Sequence, residues 1–140
     1  MNVTLGFILA SVPVWSAAQV IVPARATAET LLDTVVNFAK TDGVQALLRE
    51  TNHAQGRFHT RETGKPYLVI YDLAGKTLAH ASDIRHVGMD HSRVLGRLLE
   101  LAQRQTRGWY EPGHGAMDHE AVCYERLGNI LITVNLPPRP

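Results

Sequence analysis

Residues 67–81 read YLVIYDLAGKTLAHA, and this stretch decides the fold. Tyr67, Val69 and Tyr71 alternate with Leu68, Ile70 and Asp72. Aromatic and β-branched side chains at a period of two suit a pleated strand buried on both faces, and the run is too short for a helix. Asp72, Leu73, Ala74 and Gly75 then supply a turn, because Gly75 reaches positive φ at little cost and Asp72 can accept hydrogen bonds from the backbone ahead of it. A second strand is predicted at residues 76–80, closing a β-hairpin.

The hairpin and the residues after it resemble the single Cache domains, the extracytoplasmic sensor modules of bacterial receptors. Those domains typically carry an aromatic residue, an apolar run, Tyr-Asp, a turn ending in Gly and a Leu-Ala-His strand. Further along, Val87-Gly88-Met89-Asp90 matches an apolar-Gly-polar lead into a helix, Gly108-Trp109-Tyr110 a Gly-aromatic strand, and Val122-Cys123-Tyr124 a strand bearing a Tyr. The likeness runs in order over roughly residues 29–136. It implies an α+β fold, with a PAS-like five-stranded antiparallel sheet, a long N-terminal helix and a second helix between strands 2 and 3.

The residues themselves give the same order. From Glu29, Leu31, Val35 and Phe38 share a helical face, with Leu32 and Ala39 beside it. Thr41-Asp42-Gly43 stops that helix, and a shorter one is predicted at 44–50. Residues 51–66 form a polar loop with Phe58 as its one large apolar side chain. A helix follows at about 90–107, with Asp90 or Ser92 to receive a first-turn N–H and Gly108 to end it. Val94, Leu98, Leu101, Ala102 and Gln105 fall on its inner face, and Arg93, Arg97, Arg104 and Arg107 outside it. Three strands are predicted at 108–112, 120–127 and 129–136.

A chain of 140 residues suits one domain, with room for a modest core and one small pocket. Its 14 Lys plus Arg against 13 Asp plus Glu leave no basic stripe for nucleic acid. Residues 3–22 carry no acid or base and are mostly apolar or small, which suits export or a membrane anchor. Two small-x-small sites, Ala24-Arg25-Ala26 and Ala26-Thr27-Ala28, favour a cleaved signal over residues 1–28, although no Lys or Arg marks the start. The Cache-like domain is then expected over 29–136, periplasmic or secreted, with a Pro-rich tail at 137–140. Lone Cys123 forms no internal disulfide and, on a core strand, reads as a small hydrophobe.

The resemblance carries ligand contacts onto His80, Trp109, Tyr110 and Tyr124, and brings the loop around Phe58 near the same pocket. Hydroxyls and an imidazole suit a small carboxylate or amide, and Trp109 would wall in its aliphatic part. One departure stands out. Many small Cache domains that bind short carboxylates have a Lys three residues before the Tyr, where this chain has Ala121. The expected partners are a small organic ligand and a membrane receptor, kinase or transporter, with a homodimer as a further option and no cofactor. The competing reading is a metal-binding protein using His114, Asp118 and His119 in GHGAMDH, with a ligand-free dimerising module as a third. Ser82, Asp83 and His86, or Asp90, His91 and Ser92, offer the letters of a triad without its geometry. The chain also lacks a nucleophile elbow, a phosphate loop and HExxH, so no catalysis is expected.

Overall fold

The hairpin forms as read. Strand β1 (Tyr67–Asp72) pairs antiparallel with β2 (Thr77–His80), with an irregularity between Ile70 and Tyr71. In the turn, Asp72 Oδ1 accepts from the N–H groups of Ala74 and Lys76 at 3.0 and 2.9 Å, and Gly75 sits at φ 95°. Lys76 falls just outside the strand, in an isolated bridge to Asp90. The computed structural model describes residues 22–60, 62–112 and 121–137. Most of the proposed leader, the loop with His114, Asp118 and His119, and the end of the Pro-rich tail lie outside the described residues.

The remaining strands are β3 (Arg107–Tyr110), β4 (Ala121–Leu127) and β5 (Ile130–Leu136). They complete an antiparallel five-stranded sheet in the order β2-β1-β5-β4-β3. With its N-terminal helix and the helix between β2 and β3, this is the α+β, PAS-like architecture expected from the sequence. Strand β5 is central and buried at every position.

Helix α1 (Val22–Asp42) covers one face of the sheet and α3 (Ser92–Arg104) rests on the other. Between them, α2 (Val44–Asn52) flanks β2. On the α1 face, Ala28, Leu32, Val35, Val36 and Ala39 meet Leu68, Ile70, Cys123, Ile132 and Val134. Leu31 and Phe38 are only partly buried, so the inner stripe is turned by about one residue from the predicted face. Phe38 instead meets Phe58 edge-on, with ring centroids 5.3 Å apart. On the other face, Leu95, Leu98 and Ala102 of α3 meet Val69, Tyr71, Val122, Tyr124 and Leu131. Val94 and Gln105, predicted inside, are exposed, while Leu95 takes the inner position.

Several boundaries depart from expectation, most clearly around α1 and β3. Helix α1 extends ahead of Glu29 and is already helical at Val22, the first described residue; there Ala28 is fully buried and Arg25 has partners on and beside β3. Helix α3 ends at Arg104, and Gly108 lies inside β3, where a Cβ would stand 2.7 Å from Gln105 Nε2. Arg107 therefore leaves the solvated helix face and joins a ladder between α1 and β3. Along it, Arg107 pairs with Asp33 at 2.8 Å, Trp109 Nε1 donates to Glu29 at 2.8 Å, and Arg25 pairs with Glu111 while its guanidinium lies over the Trp109 ring. A four-residue helical step of about 6 Å nearly equals a two-residue strand step of about 6.7 Å, so the rungs match.

Candidate functional site

The site is built outward from His80. Asn52, at the end of α2, accepts from the His80 backbone N–H at 3.0 Å and donates to Leu78 O at 3.2 Å, which fixes the end of β2. His80 pairs with Val69, on the α3 face of the sheet. The chain then turns, and the backbone N–H groups of Asp83 and Ser82 donate to His80 Nδ1 at 2.9 and 3.2 Å. A nitrogen that accepts two N–H bonds carries no proton, so the neutral ring bears its hydrogen on Nε2. Burial first, then the neighbouring His86, hold His80 down at about 4, so the ring is neutral at physiological pH.

The connector from β2 to α3 adds two more imidazoles. His86 ends a 3-10 turn (Ile84–His86), and His91 immediately precedes α3. The rings form a column in which Tyr67 stacks on His80 at 5.6 Å, His80 on His86 at 4.9 Å and His86 on His91 at 5.5 Å. Tyr71 meets His91 edge-on. His86 Nδ1 and His91 Nε2 are 3.4 Å apart, and His86 Nε2 lies 3.6 Å from Asp83 Oδ2. Rings stacked face to face direct their lone pairs sideways. Among the described residues no group of three His, Cys, Asp or Glu is placed to hold a metal ion.

This column walls a cleft of about 390 Å³ between the sheet and the start of α3. Val69, Val94 and Leu95 give it apolar surface, while Tyr71, Thr77, His80 and Asn135 give it polar groups. Burial, and secondarily Tyr67, hold the Tyr71 phenol well above its ordinary value, so it stays un-ionised. Thr77 is buried and its Oγ1 has no hydrogen-bond partner. Such an orphan hydroxyl costs free energy unless something occupies the space beside it. Among the described residues no Lys or Arg lines the cleft, and Asp83 is its one carboxylate. Hydrogen bonds from the Arg85 side chain and backbone hold that carboxyl well below its ordinary value. This combination of apolar wall, few polar groups and an unsatisfied hydroxyl can hold a small polar molecule by hydrogen bonds.

The five residues singled out from sequence are not brought together. His80 lines the cleft. Tyr110 and Tyr124 share its face of the sheet but pack beside the cleft, and the fully buried Tyr124 donates its hydroxyl to Gln105 O at 3.0 Å. Trp109 and Phe58 lie on the opposite face, packed against the α1 core. A wider and more open groove of about 720 Å³ runs from the end of α1 past α2, beneath the Arg57 guanidinium that covers Phe38. Charged, solvated side chains such as Asp42, Arg49, Glu50 and Arg57 dominate its walls, and it has no orphan group to fill, so the smaller cleft is the better site. The cleft residues missed in sequence are Tyr67, Tyr71, Thr77, His86, His91 and Asn135. The period-two pattern marks Tyr67 and Tyr71 as co-facial, but nothing in the sequence folds the connector back onto them.

Two solved structures share this architecture. One, described as the periplasmic sensor domain of a chemotaxis protein, is 13% identical with a TM-score of 0.58, and the match covers 85% of this chain and 98% of that one. The other, a Cache chemosensory domain studied for carboxylic acid recognition, is 14% identical with a TM-score of 0.51, covering 91% of this chain and 97% of that one. At this identity the likeness concerns the fold, which is that of the Cache sensor domains. No protein-family model and no curated protein sequence matches the chain.

Proposed function

We propose that this chain is a non-catalytic sensing module of the single Cache type, which binds a small organic molecule in the His80 cleft and reports it to a partner. The observation that carries the reading is the buried hydroxyl of Thr77, left without a partner on a residue that lines the same cleft as neutral His80. Cys123 supports the non-catalytic reading, because burial pushes its thiol up to about 12 and leaves little thiolate. Occupancy would shift the balance between two positions of the connector and α3, and a receptor, kinase or transporter would read that shift.

We also propose an extracytoplasmic location, on the strength of the apolar run at residues 3–22 and the periplasmic origin of one structural neighbour. No helix among the described residues is long and apolar enough to cross a membrane. Processing at either small-x-small site would cut within α1 and remove Arg25 from its ladder, so the domain is proposed to include α1 from Val22 on. The test is a thermal-shift screen of short organic acids, amides and alcohols. At least one should raise the melting temperature by linkage, with amide NMR shifts concentrated at residues 77–91. A library that moves neither the melting temperature nor those amides would overturn the reading.

A further inference from the structure

The cleft's charge and hydrogen-bonding inventory says which kind of head group it takes. We infer that it selects an uncharged head of the carboxamide class over a carboxylate ion; this deepens, and rests on, the binding reading above. A carboxylate only accepts hydrogen bonds and brings a full charge, which is costly to bury without a cation beside it. None of the described lining residues is Lys or Arg. The lining already contains one carboxylate, Asp83, whose own cation Arg85 points into solvent with its side chain 87% exposed. His80 cannot readily supply the missing charge. Its Nδ1 is occupied by two backbone N–H donors, and protonating it would set three donors against one another.

An amide meets these groups on both sides. Its carbonyl can accept from His80 Nε2–H, and its NH₂, once its entry displaces the side chains that shield Thr77 Oγ1 in the empty cleft, can donate to that hydroxyl, which has no partner among the described residues. The Tyr71 phenol, kept un-ionised by burial, adds a second hydroxyl able to work in either direction. A carboxylate of the same shape leaves Thr77 to serve only as a donor and faces Asp83 across the cleft.

The experiment compares propionamide with propionate, which match in size, on the purified full chain at pH 7.5 by calorimetry and thermal shift. Propionamide should bind at least about 10-fold more tightly, the effect of one unpaired polar group in a buried site. Thr77→Val should weaken propionamide about 5-fold or more while leaving the empty protein equally stable or a few degrees more stable, because it removes an unsatisfied hydroxyl. Propionate binding as tightly as propionamide would overturn the inference and leave the binding reading standing. Neither compound binding at tens of millimolar would overturn both. The ligand pair is measured on the unaltered chain, so the comparison holds even where the variant folds poorly.

Discussion

At Gly75 two constraints meet. The residue sits at φ 95°, and a Cβ there would stand 2.7 Å from Ser92 Cα, where α3 begins. Gly75→Ala is therefore expected to cost about 2–4 kcal/mol, measured by urea unfolding, because backbone strain adds to a clash that no side-chain rotation relieves. His80 makes a prediction of a different kind. Its folded-state value, near 4, lies below the ordinary 6.5, so between those two pH values the unfolded chain binds more protons than the folded one. Its contribution to stability is present in full above about pH 6.5 and is lost as the pH falls toward 4. Urea unfolding at several pH values should show this acid loss, and His80→Gln should flatten it by up to about one proton. The Asp72 turn was legible because its bonds are local, spanning two and four residues. Thr77 was not, because what distinguishes it is a missing partner, and that depends on where the connector passes.

Between α1 and β3 the ladder of Arg25, Glu29 and Asp33 against Glu111, Trp109 and Arg107 contains rungs of unequal worth. The Asp33 side chain is 61% exposed, while that of Glu125, which Arg107 also holds at 2.9 Å, is 14% exposed. Exposed pairs contribute little, whereas a half-buried carboxylate left alone is expensive. Asp33→Ala should cost at most about 1 kcal/mol and Arg107→Ala about 1–3 kcal/mol, both by chemical denaturation. Equal costs would mean that Glu125 finds another partner. The existence and order of the helices could be read from their 3.6-residue periodicity. Their ends could not, since the first turns of α1 meet a strand about 80 residues later in the chain, and Arg107 is held in that strand by Glu125 of β4 and Asp33 of α1. A helical pattern records its own face and not the length of the surface that covers it.

Across the molecule the two faces of the sheet differ in how firmly they are covered. Helix α1 buries Ala28, Leu32, Val35, Val36 and Ala39, whereas α3 buries only Leu95, Leu98 and Ala102 and leaves Val94, on the cleft wall, exposed. Native-state hydrogen exchange should find the amides of α3 and residues 82–91 opening before those of α1 and β5, and slowing when a guest binds. The order of motifs announced the fold because each strand's pattern is contained within itself. The cleft brings together Tyr67, Thr77, His86 and Asn135 from four separate segments, and of the residues carried over motif by motif only His80 lines it. One seam ties these parts together: Thr77 N–H donates to Met89 O at 2.9 Å, Gly88 N–H to Thr77 O at 2.8 Å and His91 N–H to Gly75 O at 2.9 Å. The wall bearing the stacked imidazoles is thus stitched to the hairpin by main-chain thread. Whatever tugs on His86 or His91 strains that stitching, so occupancy is felt in the sheet's border and does not dissipate in a slack loop.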